Sequence, residues 1–256
     1  EFNAQSRGGK GKIGTKLASV EDSILHFFTC NDHDSVLLIS DKGIAYSVKA
    51  YQIPISSRVA KGVPLPQVLP IAVNEQITSV IPVDEFREDE FLILLTSKGN
   101  IKKTPLHAFK SISQRGLIIL SLDQGDSLGW ARRCTPDQEI LIATRDGFAC
   151  RMAASSLRET GRTSRGVKAL NLREGDYMAD MDILQSSLSN GAESFVLAVT
   201  SKAYGKRIDI KEFKTQRRGC KGITAIKFKE KAGGSRRGAL GAPADADALS
   251  CMRICG

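Results

Sequence analysis

Four short runs of the chain are apolar at almost every position: residues 36–40, 91–96, 140–144 and 195–200, each built from Leu, Ile, Val, Phe and Ala with a closing Ser or Thr. Runs of this length predict strands buried on both faces. Three of them stop at a tight glycine turn, Asp41-Lys42-Gly43, Ser97-Lys98-Gly99 and Arg145-Asp146-Gly147, and the fourth stops at a longer one from Ser201 to Gly205. Such turns join hairpins, so return strands are expected at 44–49, 100–104, 148–152 and 206–210. Two further families of β-rich runs recur between the hairpins. One comprises 12–17, 63–71, 117–122, 167–172 and 223–228; the other comprises 24–30, 77–83, 128–134 and 178–184, with 249–255 resembling its third member. Polar turns such as 123–126 and 173–176 separate the two families. No window carries a sustained 3.6-residue apolar stripe with caps, so the chain reads as all-β.

The recurrence has a fixed period. Arg7-x-x-Lys10-Gly11 returns as Arg58-x-x-Lys61-Gly62, as Arg162-x-x-Arg165-Gly166 and as Arg218-x-x-Lys221-Gly222. A partial copy, Arg115-Gly116, has Ile112 in place of the first Arg. The closing glycines fall about 50 residues apart, a blade-like period, and each lies 17 to 19 residues beyond the preceding hairpin glycine. Four strands per unit at this spacing predict a propeller-like disc, whereas a pair of β-sandwiches would keep no fixed period. The expected units are roughly 1–35, 36–90, 91–138, 139–194 and 195–256. About five units are present, the last one cut and the first without a hairpin before its box. Glu1 reads as mid-protein sequence and the chain as a fragment whose open ring exposes strand edges and lowers stability. Residues 232–248, rich in Ala, Gly and Arg, are expected to be disordered.

Charge gives the repeat a direction. A formal net charge of +9 points to an acidic partner, of which nucleic acid is the usual one. One Trp and four Tyr are too few for a single-strand binder built on stacked rings, which leaves backbone phosphates. Arg offers a planar fork to a phosphate and Lys a mobile point charge; a glycine beside them can take φ > 0 and let an anion approach peptide N–H groups. One such box is usually a solvated turn; recurrence at one place in the repeat predicts a curved basic track on the rim, holding DNA through phosphates without base reading. Lys49, Lys102, Lys103, Arg151, Lys206 and Arg207 on the return strands either widen that track or form a solvated face. The acidic stretch 84–90 is expected to face away from it. Cys30, Cys134, Cys150, Cys220, Cys251 and Cys255 show no zinc spacing and suggest a reducing compartment. No run approaches the ~20 apolar residues of a membrane span, and His26, His33 and His107 form no catalytic or metal set, so no catalytic residue and no metal site is expected.

Residues 5–11, Gln-Ser-Arg-Gly-Gly-Lys-Gly, resemble the seven-residue box Gln-Arg-Arg-Gly-Gly-Lys-Gly of the DNA gyrase A C-terminal domain family. Segments 41–54 and 161–168 are similar to that family's repeats, and the resemblance covers nearly the whole chain except 232–248. It implies a six-bladed β-pinwheel with strands exchanged between blades, incomplete here. It also implies a domain that wraps double-stranded DNA with a positive hand. The N-terminal region of gyrase A carries the cleavage tyrosine, which this chain does not contain. The gyrase B subunit hydrolyses ATP in an A2B2 holoenzyme that introduces negative supercoils, with ATP and Mg2+ used outside this chain. The resemblance assigns DNA contact to Gln5, Arg7, Gly8, Gly9, Lys10 and Gly11. The repeated boxes add Arg58, Lys61, Arg115, Arg162 and Arg165, and the near-match at 216–222 adds Gln216, Arg217, Arg218 and Lys221. Ser6 and Cys220 depart from the family's letters, and Cys220 would be strained if its position required φ > 0. The alternatives are a topoisomerase IV-type domain, which lacks an intact box and bends DNA without fixing a crossing sign, and a propeller scaffold for protein partners. The Ala/Gly-rich segment favours a plastid or cyanobacterial member, hence a plastid over a bacterial cytoplasm or nucleoid.

Overall fold

Each uniformly apolar run forms a central strand of its own antiparallel sheet. In the computed structural model, which describes residues 8–9, 23–57, 60–113, 115–185, 194–228 and 247–255, these are β1 (Ser35–Ser40), β4 (Phe91–Thr96), β8 (Glu139–Thr144) and β12 (Phe195–Thr200). Every residue of β1 and β4 is buried. The glycine turns lead into return strands β2 (Ile44–Lys49), β5 (Asn100–Pro105), β9 (Phe148–Ala153) and β13 (Gly205–Asp209). On the other side of each central strand pairs β3 (Ile77–Val83), β7 (Leu128–Cys134), β11 (Met178–Leu184) or β15 (Leu249–Cys255). β3 packs on β7, β7 on β11 and β11 on β15, so these strands converge at the inner side of the array.

The outer strand of each sheet comes from further along the chain. β6 (Leu117–Ile118) follows the second hairpin yet pairs with β2 of the first sheet. β10 (Val167–Lys168) follows the third hairpin and pairs with β5; β14 (Ile223–Thr224) follows the fourth and pairs with β9. The register is the same each time: Ala45↔Leu117, Ile101↔Val167 and Ala149↔Ile223. Two residues past the pair, the N–H groups of Ile119, Ala169 and Ala225 donate to the hairpin carbonyls of Gly43, Gly99 and Gly147, each at 2.9 Å. The orders are therefore β3-β1-β2-β6, β7-β4-β5-β10 and β11-β8-β9-β14, with β15-β12-β13 as the last sheet.

Apolar residues fill the spaces between consecutive sheets. Leu37, Ile39, Ile81 and Val83 of the first meet Leu92, Leu94 and Leu128 of the second, with Ile119 and Leu120 wedged between. Ile93, Leu95 and Ile101 meet Ile140, Ile142 and Met181 around Ala169 and Leu170, where Trp130 also packs. Leu141, Ala143 and Ala149 meet Val196, Ala198 and Met252 around Ala225. The runs after Gly116, Gly166 and Gly222 are thus strands for only two residues and then inter-sheet wedges, shorter as β-structure than their composition suggests.

Two expected strands do not form. Residues 63–71 contain a short helix, α1 (Leu65–Val68), entered through Pro64 and carrying Pro66. Neither proline has an N–H for a ladder, and among the described residues no return strand precedes β2 to receive this segment. Residues 24–30 likewise form no strand; α1 and Phe28 cover the outer apolar face of the first sheet, made by Val36, Leu38, Tyr46 and Val48. The expected strand at 12–17 and most of the 232–248 segment lie outside the described residues.

The closing glycines Gly116, Gly166 and Gly222 are fixed by the crossing from one sheet to the next, whereas a Cβ on Gly62 would meet nothing within 4 Å. A Cβ on Gly166 would stand 2.6 Å from the carbonyl oxygen of Ile101, and one on Gly116 would stand 2.7 Å from Ile44, both at φ near +85. In the first three sheets the residue three past the hairpin glycine then fastens the incoming box. Tyr46 packs under Gly116 and donates its hydroxyl to Glu75 at 2.8 Å. Lys102 donates to the carbonyls of Ile119 (2.7 Å), Arg162 (2.5 Å) and Ser164 (3.3 Å). Cys150 places its sulfur 3.2 Å from that of Cys220.

Gly166→Ala is expected to cost about 2–5 kcal/mol, from the left-handed backbone and the backbone clash together, against about 1–2 kcal/mol for Gly219→Ala, where φ is +75 and a Cβ meets nothing; urea unfolding of the two variants compares them. Burial pushes the Lys102 ammonium down from 10.5 to about 8. The unfolded chain therefore holds that proton up to about pH 10.5 while the folded chain releases it from about pH 8. Stability contributed at this site rises with pH across that window, and urea midpoints of Lys102→Met should lack the rise.

Candidate nucleic-acid interface

Because β6, β10 and β14 are the outermost strands, the boxes that immediately precede them lie on the rim of the array. Their common register puts Arg115-Gly116, residues 162–166 and residues 216–222 at equivalent places on successive sheets. They are also joined in series. Ser121, five residues past Gly116, donates its hydroxyl to Thr163 O at 2.7 Å. Gly219 N–H donates to Ala169 O at 2.7 Å, and Asn171 N–H to Cys220 O at 2.8 Å, so the next box lies along the run that follows Gly166.

The box at 216–222 contains two glycines in opposite surroundings. The closing one packs on protein: Gly222 would put a Cβ 3.0 Å from Ala149 O. The middle one is open: Gly219 has φ +75 and Gly8 has φ +87, and a Cβ at either meets nothing within 4 Å. The glycine suited to an approaching anion is therefore Gly8 or Gly219, while Gly116, Gly166 and Gly222 serve the fold. Cys220 is unstrained, since Ala203 is the only non-glycine with positive φ among the described residues.

Lys61, Arg115, Arg162, Arg217, Arg218 and Lys221 are all exposed, and none has an ion pair among the described residues. Arg165 is exposed as well and lies 3.1 Å from Asp123. Gln216 is half-buried; its N–H donates to Arg151 O at 2.7 Å and its side-chain oxygen accepts from the Cys220 thiol at 3.3 Å. Gly9 is described and exposed. Gln5, Arg7, Lys10, Gly11 and Arg58 lie outside the described residues.

Of the return-strand cations, Lys102, Lys103 and Arg151 are taken up by contacts within the protein, whereas Lys49, Lys206 and Arg207 are exposed. Lys102 is 2% exposed and engaged with the three carbonyls. Lys103 is buried over the Phe91 ring, 4.4 Å from its centroid, and 3.9 Å from Glu159. Arg151 pairs with Glu139 and donates to the carbonyls of Ile210 and Phe213. Lys49 donates to His33 O and Ser35 Oγ, Arg207 stacks on Phe195, and Lys206 reaches Ala225 O at 3.5 Å. β5 and β9 are interior once the outer strand is added, so Lys102, Lys103 and Arg151 meet carbonyls, a ring and carboxylates, whereas Lys49 and the edge-strand residues Lys206 and Arg207 are exposed. Lys168 and Lys227, just past their boxes, are exposed and extend the rim; a cation within five residues of Gly11, Gly166 and Gly222 was the available signal. In the acidic stretch, Arg133 binds Asp84 at 3.1 Å and Glu90 at 2.6 Å, and backbone N–H groups together with that guanidinium hold the Asp84 carboxyl below its usual range. Among the described residues no three His, Cys, Asp or Glu side chains gather as a metal site, and no helix is long and apolar enough to cross a membrane.

Comparison with known proteins follows the same repeats. The DNA gyrase C-terminal domain, beta-propeller family matches residues 1–31, 34–84, 90–134, 138–185 and 194–234. The DNA gyrase A protein of Synechocystis is 41% identical over 90% of this chain and 30% of its own length. The probable chloroplastic/mitochondrial DNA gyrase A protein of rice is 41% identical over 83% of the chain and 24% of its own length, and the DNA gyrase A protein of Escherichia coli is 34% identical over 91% and 26%. The chain thus spans under a third of these relatives. Two solved structures share the fold: a DNA topoisomerase IV C-terminal domain (TM-score 0.73, 21% identity, 88% of this chain and 64% of that one) and a DNA gyrase A C-terminal domain (0.64, 22%, 87% and 70%). With its hairpins, its strand exchange and its glycine crossings covered by this match, and only β15 of the strands beyond it, the chain belongs to the DNA gyrase C-terminal domain, beta-propeller family.

Proposed function

We propose that this domain binds duplex DNA through backbone phosphates along its outer rim and wraps it with a positive hand. The observation that carries the reading is the series of exposed box cations, unpaired among the described residues except Arg165, repeated at one register and linked box to box by hydrogen bonds. A rigid row of this kind holds Arg forks and Lys charges at repeating intervals, which suits a regular polyanion and leaves base edges unread. Gln5, Arg7, Gly8, Gly9, Lys10 and Gly11 act as the entry to the wrap, and Arg217, Arg218 and Lys221 with Gly219 form a second strong station. In the A2B2 holoenzyme the wrapped segment is delivered to the catalytic core, which the N-terminal region of gyrase A forms together with gyrase B. ATP and Mg2+ act there, and strand passage yields negative supercoils. The setting is a plastid or a bacterial nucleoid, in keeping with cyanobacterial, plant-organelle and bacterial relatives.

The deciding experiment binds the chain to nicked circular DNA, ligates, removes protein and reads the trapped linking difference. Positive topoisomers support the wrap; a relaxed distribution despite binding indicates bending of the topoisomerase IV type and overturns it. Absence of salt-sensitive binding overturns the DNA reading altogether in favour of a protein scaffold. About 8 phosphate contacts give a slope of log K against log salt of about −7. Arg162→Ala with Arg218→Ala should bring it to about −5 with little change in sequence preference. Arg7→Ala with Lys10→Ala should abolish the trapped linking difference while leaving most of the affinity, read by the ligation assay beside a filter-binding titration.

A further inference from the structure

We propose that Cys150 and Cys220 are a reversible disulfide site that covalently fastens the box at 216–222 to return strand β9. Their sulfurs lie 3.2 Å apart across 70 residues of chain. A bonded pair lies at about 2.0 Å, so roughly 1 Å of closure is needed. The flanking backbone is already tied on both sides of the pair. Ala149 pairs with Ile223 in the ladder, and Arg151 bridges Thr215 while accepting from Gln216 N–H at 2.7 Å. Residues 149–151 and 215–223 therefore cannot drift apart without breaking the seam between two sheets, and the thiols are held facing each other.

The position is one that the fold uses for fastening. Three residues past the hairpin glycine, Tyr46 packs under Gly116 and Lys102 binds carbonyls of 162–164. Cys150 occupies the same place in the third sheet, and its partner is a box residue. The remaining cysteines offer no such arrangement: Cys30 is exposed, Cys134 is buried on β7, and Cys251 and Cys255 lie on β15.

The two thiols differ in access, which sets the order of events. Cys220 is half-buried and Cys150 fully buried; burial and the neighbouring sulfur push the Cys150 thiol up. Cys220 attacks the sulfur–sulfur bond of a small disulfide, RSSR, forming Cys220–S–SR and releasing one RSH. Cys150 sulfur then displaces the second RS group, forming the Cys150–Cys220 bond and releasing a second RSH. The protein loses two hydrogens, its two sulfurs are oxidised, and RSSR is reduced to two thiols carrying the two protons. Closure also removes the Cys220 thiol that donates to Gln216 at 3.3 Å, so that side chain is released as the box is pinned.

The test incubates the chain with oxidised glutathione, digests it without reduction and maps disulfides by mass spectrometry, with amide exchange measured beside it. The expected product is a linked peptide pair containing residues 150 and 220, reopened by dithiothreitol, with at least tenfold slower exchange of the Gln216 and Gly219 amides in the oxidised form. Cys150→Ser should stop at a glutathione adduct on Cys220, and Cys220→Ser should leave Cys150 as a free thiol. A wild-type chain in which Cys220 keeps its adduct, stays reduced, or pairs with another cysteine overturns the proposal. The readouts concern thiols and amides alone, so they stand or fall apart from DNA binding.

Discussion

The backward passage of each outer strand is the constraint on which the rest of the structure depends. A return strand such as β5 would otherwise be an edge with unpaired N–H and C=O groups. Val167 and Lys168 close that edge, and the Ala169 N–H caps the carbonyl of the hairpin glycine. To arrive there the chain must pass against the backbone of β5, which leaves no room for a side chain at Gly166. The same residues that close one sheet continue as a wedge in the next inter-sheet core. Hydrogen bonding, apolar burial and the place of the box on the rim are thus set by one crossing, repeated at Gly116 and Gly222.

That crossing also sorts the cations. Those on β5 and β9 are enclosed when the outer strand arrives, and a buried cation needs partners that replace water. Lys102 finds three carbonyls, Arg151 a carboxylate and two carbonyls, and Lys103 a ring and a carboxylate. Box cations precede the outer strand and stay outside. Held near one another without carboxylates, except where Arg165 meets Asp123, they repel at low salt and gain from a polyanion. Enclosed and exposed cations are therefore neighbours in sequence and opposites in surroundings.

The Tyr46, Lys102 and Cys150 positions illustrate how one geometric role tolerates unlike chemistry. An aromatic face, an ammonium and a thiol each occupy the place where the return strand meets the incoming box. What is held constant is the ladder register and the hairpin carbonyl bond, both backbone features. Side chains at the joint are free to set how tightly each box is held and under what conditions. The buried ammonium makes the second joint sensitive to protonation, and the paired thiols open the third to oxidation.

The strands of the hairpins were legible from local sequence, because continuous Leu, Ile and Val with a glycine turn specify a buried hairpin without reference to anything distant. β4 and β12 begin and end where their apolar runs do. The recurrence of two cations and a glycine was legible too, as was the family it resembles. Local sequence did not disclose where the runs that follow the boxes would pair, since Leu117 meets a strand that ended 68 residues earlier at Lys49. Nor did it separate the packed glycine at 222 from the open one at 219, or Lys102 enclosed from Arg162 exposed. Those distinctions depend on which surfaces meet once the sheets assemble. Periodicity determines that strands and boxes exist; only long-range pairing decides which face of each is left to water.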